Sequence, residues 1–580
     1  MPAAARWIFA SPPEESLSDF ALRLRVSLPV ATLLWQRGYR SPESAEAFLR
    51  PSFSRLHDPF EFQDMRAAVN RIAKAIRDRE RMLLYGDYDV DGTTSIAVLA
   101  ATLRLLGAEP AYHIPHRLRD GYGIHAGVIE REAALGTKLI ISVDTGIRAA
   151  EEVLLAQRLG IDMIVTDHHL PDGQLPPACA VLNPNRHDST YPERLLCGVG
   201  VTFKLVQGLL AESNWPESKR DRLLHSLLKL VAIGTIADVV PLTGENRTLV
   251  RLGLEGLRGS SSPGLAALMD IAGFKPGELP TSGQIAFRIA PRINAAGRMA
   301  DAGNVVEMLL TQDSARARGI AETLNTLNSD RQMAEREIVA NILSQCEQNP
   351  PKDSDCALVF SGQEWHRGVV GIVASRLVER YSRPVFVLGG DGDSGLFQGS
   401  GRSIRAFSLV EALETMPELF ERFGGHHMAA GVTLRSALVD EFRERLRAYA
   451  GSRLTAEDMA PTLTIDARVD AADIGEDLAR EVEALGPFGL GNPTPVFVLP
   501  EAEIAEEPAV FAERHLRLKA RKDGKYFRFT AWQFADRKPE FVSGGRMDLA
   551  FSAELDPRSA ERGYPGWVLT LKDARPAGVS

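Results

Sequence analysis

Cysteine is scarce in this chain, and its placement excludes two common architectures. The 580 residues contain only Cys179, Cys197, Cys346 and Cys356, and no two of them form a Cys-x-x-Cys pair. A zinc finger needs such closely spaced pairs, and a disulfide framework needs a denser set of cysteines. The sequence therefore predicts neither zinc fingers nor disulfides and is suited to a reducing cytoplasm.

Long apolar runs and an excess of basic charge are also missing. No stretch approaches the roughly 18 apolar residues of a membrane span, and the start, MPAAARWIFASPPEE, lacks the apolar core of a signal peptide. We therefore expect a soluble cytoplasmic protein with no membrane partner. Because the formal net charge is −9, any nucleic-acid partner must bind at local basic patches rather than over the whole surface.

Strand-like runs alternate with helical patterns in two parts of the chain, which is typical of α/β domains. Residues 81–250 read as a parallel-sheet domain and residues 351–455 as a smaller α/β domain. Residues 251–350 are mainly helical and end in a long polar helix that we expect to connect the two. Residues 1–80 form a helical extension expected to pack on the first α/β domain, and residues 456–580 show the short alternating strands of a small β-barrel.

Three carboxylates lie on alternate residues directly after the first strand-like run, RMLLYG. They are Asp87, Asp89 and Asp91. At this spacing their charges repel one another unless a cation lies among them, and hard divalent cations prefer such oxygen ligands. The pattern also opens an EF-hand loop, but that loop needs a Glu at its twelfth position, where this chain has Val98, and it follows a helix rather than a strand.

Later strand-like runs end in the same kind of residue. Asp144 follows LIISV, the triplet Asp167, His168 and His169 follows DMIVT, and Asp238 follows the apolar helix LLKLVAIGTIA. A single Asp at such a place is often only a helix cap, but the loops beyond parallel strands converge on one ligand site. The mixed oxygen and nitrogen set suits Mn²⁺ or Mg²⁺ better than calcium or zinc. The set has enough ligands for two ions, which would stabilise both the attacking and the leaving oxygen of a phosphoryl displacement.

A basic hairpin stands out near the end of the chain, in RHLRLKARKDGKYFRFTAW. From Arg514 to Arg528 there are seven Lys or Arg residues against one Asp, and Asp523-Gly524 predicts a tight type I′ turn. Alternating basic and apolar residues predict one charged strand face, either a single-strand-binding surface or an ordinary solvated barrel face. The residues predicted to contact nucleic acid are Arg517, Lys519, Arg521, Lys525 and Phe527.

The motifs GDYDVDGTTS, VDTGI, TDHH and GTIADVVPL, in this order, resemble the DHH phosphoesterase superfamily, and GSGRS and GGHHMAAG resemble its companion DHHA1 domain. Three flanking segments, QRGYRSPESAEAFLRPS, IPHRLRDGYGIH and PRINAAGRM, narrow the resemblance to its bacterial single-strand-specific exonucleases. The resemblance implies a DHH domain and a smaller DHHA1 domain joined by a long helix, followed by an OB-fold barrel. It also implies a 5′→3′ exonuclease in DNA repair and recombination that releases 5′-mononucleotides and has single-strand-binding protein as a partner. We expect the protein to be a monomer.

The resemblance assigns roles to the acidic and histidine residues. It implies two Mn²⁺ or Mg²⁺ ions per site. The direct metal ligands that it implies are Asp89, Asp91, Asp144, His168 and Asp238. The supporting catalytic residues that it implies are Asp87, Asp167 and His169.

Six further residues are predicted to bind substrate. They are Arg117, Arg298, Ser400, Arg402, His426 and His427. Ser400 and Arg402 match a family loop that binds a terminal phosphate, to which a guanidinium can donate two hydrogen bonds. Arg117 and Arg298 are expected to face the same cleft or to be structural, and the same two alternatives stand for the histidines.

Two other functions remain open at this point. A phosphodiesterase for very short RNA or cyclic dinucleotides would share the two central domains, but the basic tail and the N-terminal extension favour a long polymer. A non-catalytic scaffold would have lost metal ligands, whereas here every acidic position is filled.

Overall fold

The protein is described by a computed structural model that covers residues 5–11, 16–117, 119–259, 262–352, 354–390, 392, 395–561, 563 and 565–578. All candidate site residues lie within these ranges. None of the helices in these ranges is long and apolar enough to cross a membrane.

The N-terminal extension divides between two cores. Its elements are β1 (Arg6–Phe9), α1 (Ser18–Leu24), α2 (Leu28–Gln36), α3 (Pro42–Leu49) and α4 (Met65–Arg77). Helix α4 packs on the first α/β domain as predicted. Helices α1–α3 instead share the apolar core of the C-terminal barrel, so the expectation that the whole extension packs on the first domain is wrong. An amphipathic pattern shows which helix face is buried but not against which partner.

The first α/β domain is built on a parallel five-stranded sheet, which confirms the predicted fold class. Its elements are β2 (Met82–Tyr85), α5 (Val90–Leu105), β3 (Ala111–His113), α6 (Ala126–Ala134), β4 (Leu139–Val143), α7 (Ala150–Arg158), β5 (Asp162–Thr166), β6 (Ala180–Leu182), α8 (Gly198–Ala211), α9 (Glu217–Ala237) and α10 (Gly244–Gly256). The strand order is β3-β2-β4-β5-β6. The central strands β2 and β4 are buried along their whole length, as expected of a sheet covered on both faces.

A helical region leads to the second domain. It contains α11 (Pro263–Ile271), α12 (Ser282–Gln284), a π-helical turn (Ile285–Ile289), α13 (Ala290–Met299), α14 (Gly303–Leu310) and α15 (Ser314–Gln348). Helix α15 is the predicted connector, and at 35 residues it is about 50 Å long.

The second α/β domain carries a mixed sheet. Its elements are β7 (Leu358–Gly362), α16 (Val370–Tyr381), β8 (Val385–Gly390), β9 (Leu396–Arg402), α17 (Leu409–Glu414), β10 (Arg422–Gly425), β11 (Ala429–Arg435) and α18 (Val439–Arg453). The strand order is β10-β11-β9-β8-β7, with only β7 and β8 parallel.

The C-terminal domain is the predicted barrel. Its elements are β12 (Thr462–Ile465), β13 (Ala467–Arg468), α19 (Glu476–Leu485), β14 (Phe497–Ile504), β15 (Ala509–Phe511), β16 (His515–Lys522), β17 (Lys525–Ala531), β18 (Arg546–Leu555), α20 (Pro557–Glu561) and β19 (Trp567–Pro576). The strand order is β13-β14-β18-β19-β17-β16-β15, and a pairing of β14 with β16 closes the sheet. The predicted hairpin turn is present, since Asp523 and Gly524 both have positive φ angles, 49° and 77°, between the paired Lys522 and Lys525.

A buried arginine joins three parts of the chain. Arg247, on α10, donates hydrogen bonds to the carbonyl oxygens of Phe48, Ala484 and Leu485. Burial lowers the pKa of Arg247 to about 9. The first domain, the N-terminal helices and the barrel are therefore joined at one point by three hydrogen bonds, two of which are buried.

Candidate metal centre and substrate cleft

The loop after β2 is folded tightly around its own carboxylates. Asp89 caps α5 and accepts a hydrogen bond of 3.0 Å from the backbone N–H of Gly92. A Cβ on Gly92 would lie 2.5 Å from the carbonyl oxygen of Asp87, so glycine is required there. Asp91, in the first turn of α5, accepts hydrogen bonds of 2.6 and 2.7 Å from the N–H groups of Gly198 and Val199, where α8 begins.

Four chain segments bring their side chains to one point at the carboxyl edge of the sheet. His168 Nε2 lies 3.2 Å from Asp144 Oδ1, 3.6 Å from Asp238 Oδ2 and 3.8 Å from Asp91 Oδ2. Asp144 adopts a left-handed backbone conformation with φ 59°, an uncommon state that is concentrated at functional sites. A Cβ on Gly198 would lie 2.5 Å from Asp144 Oδ1, so α8 begins directly against this carboxylate.

These side chains form three overlapping sets of ligand atoms, each set within 4.8 Å. The sets are Asp144, His168 and His169; Asp91, His168 and Asp238; and Asp87, Asp89 and Asp144. Seven of the eight predicted metal and catalytic residues therefore belong to at least one set. The eighth, Asp167, belongs to none of those found in the described part of the chain.

Several ligand atoms of the cluster are buried without a hydrogen-bond partner. They are Asp87 Oδ1, Asp144 Oδ1, Asp238 Oδ2 and His168 Nε2. Burial, followed by neighbouring carboxylates, raises the pKa of Asp91 to about 7, of Asp87 to about 8 and of Asp238 to about 9, and raises that of Asp144 well above its usual value. Burial lowers the pKa of His168 to about 4, which leaves its imidazole neutral and able to act as a ligand. Orphaned oxygens and a neutral imidazole fit divalent cations.

Asp167 supports the cluster through hydrogen bonds to His169 and to nearby backbone N–H groups. It accepts a hydrogen bond of 2.7 Å from His169 Nδ1 and further bonds from the N–H groups of Ile147, His168 and His169. Burial raises the pKa of Asp167, but these hydrogen bonds outweigh it, so that the pKa lies below its usual value. Burial lowers the pKa of His169, but the bond to Asp167 outweighs it, so that the pKa of His169 lies above its usual value. Asp167 is thus a charged residue that orients an imidazole.

Tyr122 is a site residue that the sequence reasoning missed. Its hydroxyl lies 3.4 Å from His169 Nδ1, its ring centroid lies 5.8 Å from that of His169, and its side chain is half exposed. Burial and the nearby carboxylates, Asp167 foremost, raise its pKa, so the hydroxyl stays protonated. Its only signal in the sequence was its place in IPHRLRDGYGIH, which predicts no contact.

The predicted phosphate-binding residues meet where the second domain faces the first. The side chains of Arg402 and Ser400 lie against Gly371, in the first turn of α16. A Cβ added to this glycine would be 3.3 Å from Arg402 Nη2 and 3.4 Å from Ser400 Oγ. Arg298 spans the domains by donating a 2.9 Å hydrogen bond to the carbonyl oxygen of Gly368. Burial, then the repulsion of Arg117, Arg331 and Arg402, lowers the pKa of Arg298 to about 10. Clustered guanidinium groups at a helix N-terminus are suited to bind an anion.

The histidine pair lies at the same edge of the second domain. His426 and His427 form the turn from β10 to β11, and Ala429, which begins β11, is paired with Arg402. Both side chains are exposed, and a 2.9 Å hydrogen bond joins His427 Nε2 to the carbonyl oxygen of Arg405. The turn is thus near the arginine cluster, and His427 also has a structural contact.

The hairpin places Arg517, Lys519 and Arg521 on one outward face of the barrel, but two of them are paired. Lys525 lies on the opposite face of β17, next to the turn, and donates a 3.4 Å hydrogen bond to the carbonyl oxygen of Ala471. Lys519 lies 3.2 Å from Glu506 and Arg521 lies 2.8 Å from Glu503. The glutamates come from a preceding segment that the hairpin sequence does not reveal.

The prediction that the Phe527 ring contacts nucleic acid is wrong, because its side chain is only 4% exposed in the barrel core. Pairing with Ala520 places Phe527 on the inward face of β17. The aromatic rings that are exposed on the outward face are Tyr526 and Trp532, at 58% and 54%. Outward and inward residues alternate along a strand, and the prediction chose the inward Phe527 instead of the outward Tyr526 next to it.

Family models match three parts of the chain. The DHH family N-terminal domain matches residues 81–235, the DHHA1 domain residues 354–452, and the RecJ OB domain residues 465–559. The first two are domains of the DHH type, in agreement with the fold and with the candidate metal centre.

Individual relatives narrow this class. The single-stranded-DNA-specific exonuclease RecJ of Bacillus subtilis is 37% identical over 94% of this chain and 68% of its own length, and that of Dickeya dadantii is 39% identical over 81% and 83%. The crystal structure of Thermus thermophilus RecJ with Mn²⁺ has a TM-score of 0.83 at 31% identity, covering 100% of this chain and 81% of that one. The chain belongs to the RecJ family of single-stranded-DNA-specific exonucleases.

Proposed function

We propose that this chain is a metal-dependent exonuclease that removes 5′-mononucleotides from the 5′ end of single-stranded DNA, in DNA repair and recombination. The observation that carries the proposal is the set of orphaned, buried ligand atoms at the carboxyl edge of the sheet. Next to it lie Arg298 and Arg402, for which no ion pair is found among the described residues. One site suits divalent cations and the other suits a terminal phosphate.

The cations are Mn²⁺ or Mg²⁺, which are bound in solved structures of Thermus thermophilus RecJ. Two bound ions would polarise the phosphoryl oxygens and supply a nucleophilic water at neutral pH. The residues that would hold them are Asp89, Asp91, Asp144, His168 and Asp238, with Asp87 beside them. Asp144 and His168 each belong to two of the three sets, and Asp144 is the carboxylate that does so.

The remaining residues of the centre orient groups and move protons. Asp167 holds His169 through Nδ1, which leaves Nε2 to exchange a proton with the leaving oxygen. Tyr122, above His169, keeps its proton and contacts the terminal nucleotide.

End recognition is assigned to the arginine cluster. A terminal phosphate differs from an internal one by a free oxygen and additional charge, which Arg402 and Ser400 at the N-terminus of α16 would bind. Arg117 and Arg298 add positive charge, and His426 contacts the same nucleotide. This arrangement sets the 5′→3′ polarity, because only a bound terminus places the first phosphodiester over the cations.

The outward face of β16 and β17 is assigned to the rest of the strand. Tyr526 and Trp532 offer exposed rings, and Arg517, Lys519, Arg521 and Arg528 offer charge, as in other OB-fold platforms. Lys525, exposed beside the hairpin turn, adds charge at its edge. We further propose a cytoplasmic monomer with single-strand-binding protein as a partner. All four cysteines are free, which is compatible with a reducing compartment.

The test is nucleotide release with Mn²⁺ from long single strands, dinucleotides, cyclic dinucleotides and blunt duplexes. We expect rapid release from long single strands, little from duplexes, and none when a chelator removes the metal. Turnover confined to dinucleotides or cyclic dinucleotides would favour a short-substrate phosphodiesterase. Strand binding without hydrolysis under any metal would favour a scaffold.

A further inference from the structure

A groove with a volume of about 790 Å³ lies where the first domain, the helical region, the second domain and the barrel meet. It starts beside the metal centre, since Val239 directly follows Asp238, and Arg298 also lines it. Glu554 and Leu555, at the end of β18 in the barrel, also line it. This interdomain groove thus has walls both beside the metal centre and on the barrel.

The groove presents large apolar side chains to solvent. Phe287 is 83% exposed, the highest value for a large hydrophobic residue in the described ranges, and Val239 and Leu490 are 64% and 50% exposed. Such side chains clustered in one concave site mark a binding surface, whereas single exposed ones need no explanation.

Phe287 is held outward by its backbone. It lies in the π-helical turn, a rare conformation that often marks functional sites. The flanking Ile285 and Ile289 are fully buried, and Arg288 donates hydrogen bonds of 3.0 and 2.5 Å to the carbonyl oxygen of Ala272. Because its neighbours anchor the turn on both sides, the Phe287 ring is offered on a rigid support.

The charges on the groove indicate which part of a strand faces it. Arg298, which has no ion pair among the described residues, and Arg331, which is paired with Glu335 at 3.0 Å, line one part of it. The charged residues that the C-terminal domain contributes are Glu483 and Glu554. Carboxylates repel phosphates and can accept hydrogen bonds from base amino groups. The apolar wall therefore suits bases, with the phosphates turned towards solvent.

We propose that the interdomain groove receives the bases of the single strand downstream of the scissile bond, and that Phe287 stacks on one of them. The inference rests on the proposed function and names the residue that binds a base of the strand between the cleavage site and the barrel. Stacking on one aromatic ring changes binding by about tenfold.

The test uses 5′-phosphorylated single strands that carry one abasic residue at successive distances from the 5′ end. For the wild type, we expect KM to rise about tenfold only when the abasic residue lies at the position that Phe287 contacts. Phe287→Ala should raise KM on the unmodified strand by a similar factor and remove the dependence on abasic position. Phe287→Trp should restore both, and hydrolysis of a 5′-phosphorylated dinucleotide should not change in either variant.

Leu22→Ala is the matched control, because Leu22 is 77% exposed on α1 and lies outside the groove. It should behave as the wild type. A Phe287→Ala variant that keeps the wild-type KM, or that keeps the dependence on abasic position, would overturn the inference.

Binding of the same strands, followed by fluorescence anisotropy in EDTA, separates the two proposals. If the wild type cuts no strand but its affinity depends on abasic position through Phe287, the proposed function fails and the groove assignment stands. If strands are cut but neither affinity nor KM depends on Phe287, the groove assignment fails and the proposed function stands.

Discussion

The metal centre and the outward face of the barrel both consist of charged side chains, but the two surroundings are opposite. At the metal centre the carboxylates are buried, repel one another and leave ligand atoms without partners. On the barrel face the cations are accessible to solvent, and Lys519 and Arg521 are paired with glutamates. A buried cluster of like charge is unstable without its ligand, so its composition identifies that ligand. An exposed charge can be satisfied by water or by a neighbour, so its presence alone identifies nothing.

The largest expected effect comes from removing Asp144, which we propose as a ligand of the metal centre. Asp144→Ala should lower turnover by on the order of a thousandfold or more, because metal catalysis supplies several kcal/mol. Saturating Mn²⁺ should raise the Tm of the wild type but raise that of the variant much less. Strand binding in EDTA should be preserved. Asp162→Ala, an exposed carboxylate at the start of β5, is the control, and near-normal turnover of Asp144→Ala would refute the assignment.

The arginine cluster should have the next largest effect. Arg402→Ala removes charge-assisted hydrogen bonds worth about 1.5–3 kcal/mol, or roughly ten- to a hundredfold. The variant should lose the preference for 5′-phosphorylated over 5′-hydroxyl strands, while the Mn²⁺-induced rise in Tm stays the same. Arg435→Ala, on the neighbouring β11 and paired with Glu421, should keep the wild-type ratio of turnover on the two strands. An unchanged ratio in Arg402→Ala would show that the end is recognised elsewhere.

Exposed rings on the barrel should have a smaller effect that depends on strand length. Trp532→Ala and Tyr526→Ala should each weaken binding to long strands by about tenfold and leave the hydrolysis of dinucleotides unchanged. Point variants are preferable to removing residues from 460 onward, because that deletion would expose the apolar faces of α1–α3 and break the Arg247 contacts. Equal losses on long and short substrates would show that the barrel is only a support.

The smallest effect tests the pairing of charge directly. Arg528 is exposed and has no ion pair among the described residues, whereas Arg521 is paired with Glu503. Arg528→Ala should therefore lower the slope of log K against log salt by about one, the value for one phosphate contact, and Arg521→Ala should lower it by less. Equal slopes in the two variants would mean that the ion pair opens when the strand binds.

Local patterns were sufficient for the features that depend on neighbouring residues in the chain. Alternating aspartates after β2 and the Asp-His-His triplet after β5 lie at strand ends of a parallel sheet, where loops converge. The sequence therefore predicted which acidic residues would meet, and the structure brings them within a few ångströms of one another. The turn at Asp523-Gly524 was predictable for the same reason, since two residues determine it.

Contacts between distant segments were decided only by the tertiary structure. The packing of α1–α3 on the barrel, the glutamates opposite Lys519 and Arg521, and the position of Tyr122 above His169 each join segments whose separate patterns do not specify a partner. The interdomain groove is the extreme case, because its walls come from four parts of the chain and Phe287 reads in the sequence as an ordinary core residue. Periodicity records that a side chain is apolar and on which face it lies; whether that face is covered depends on how whole domains are placed.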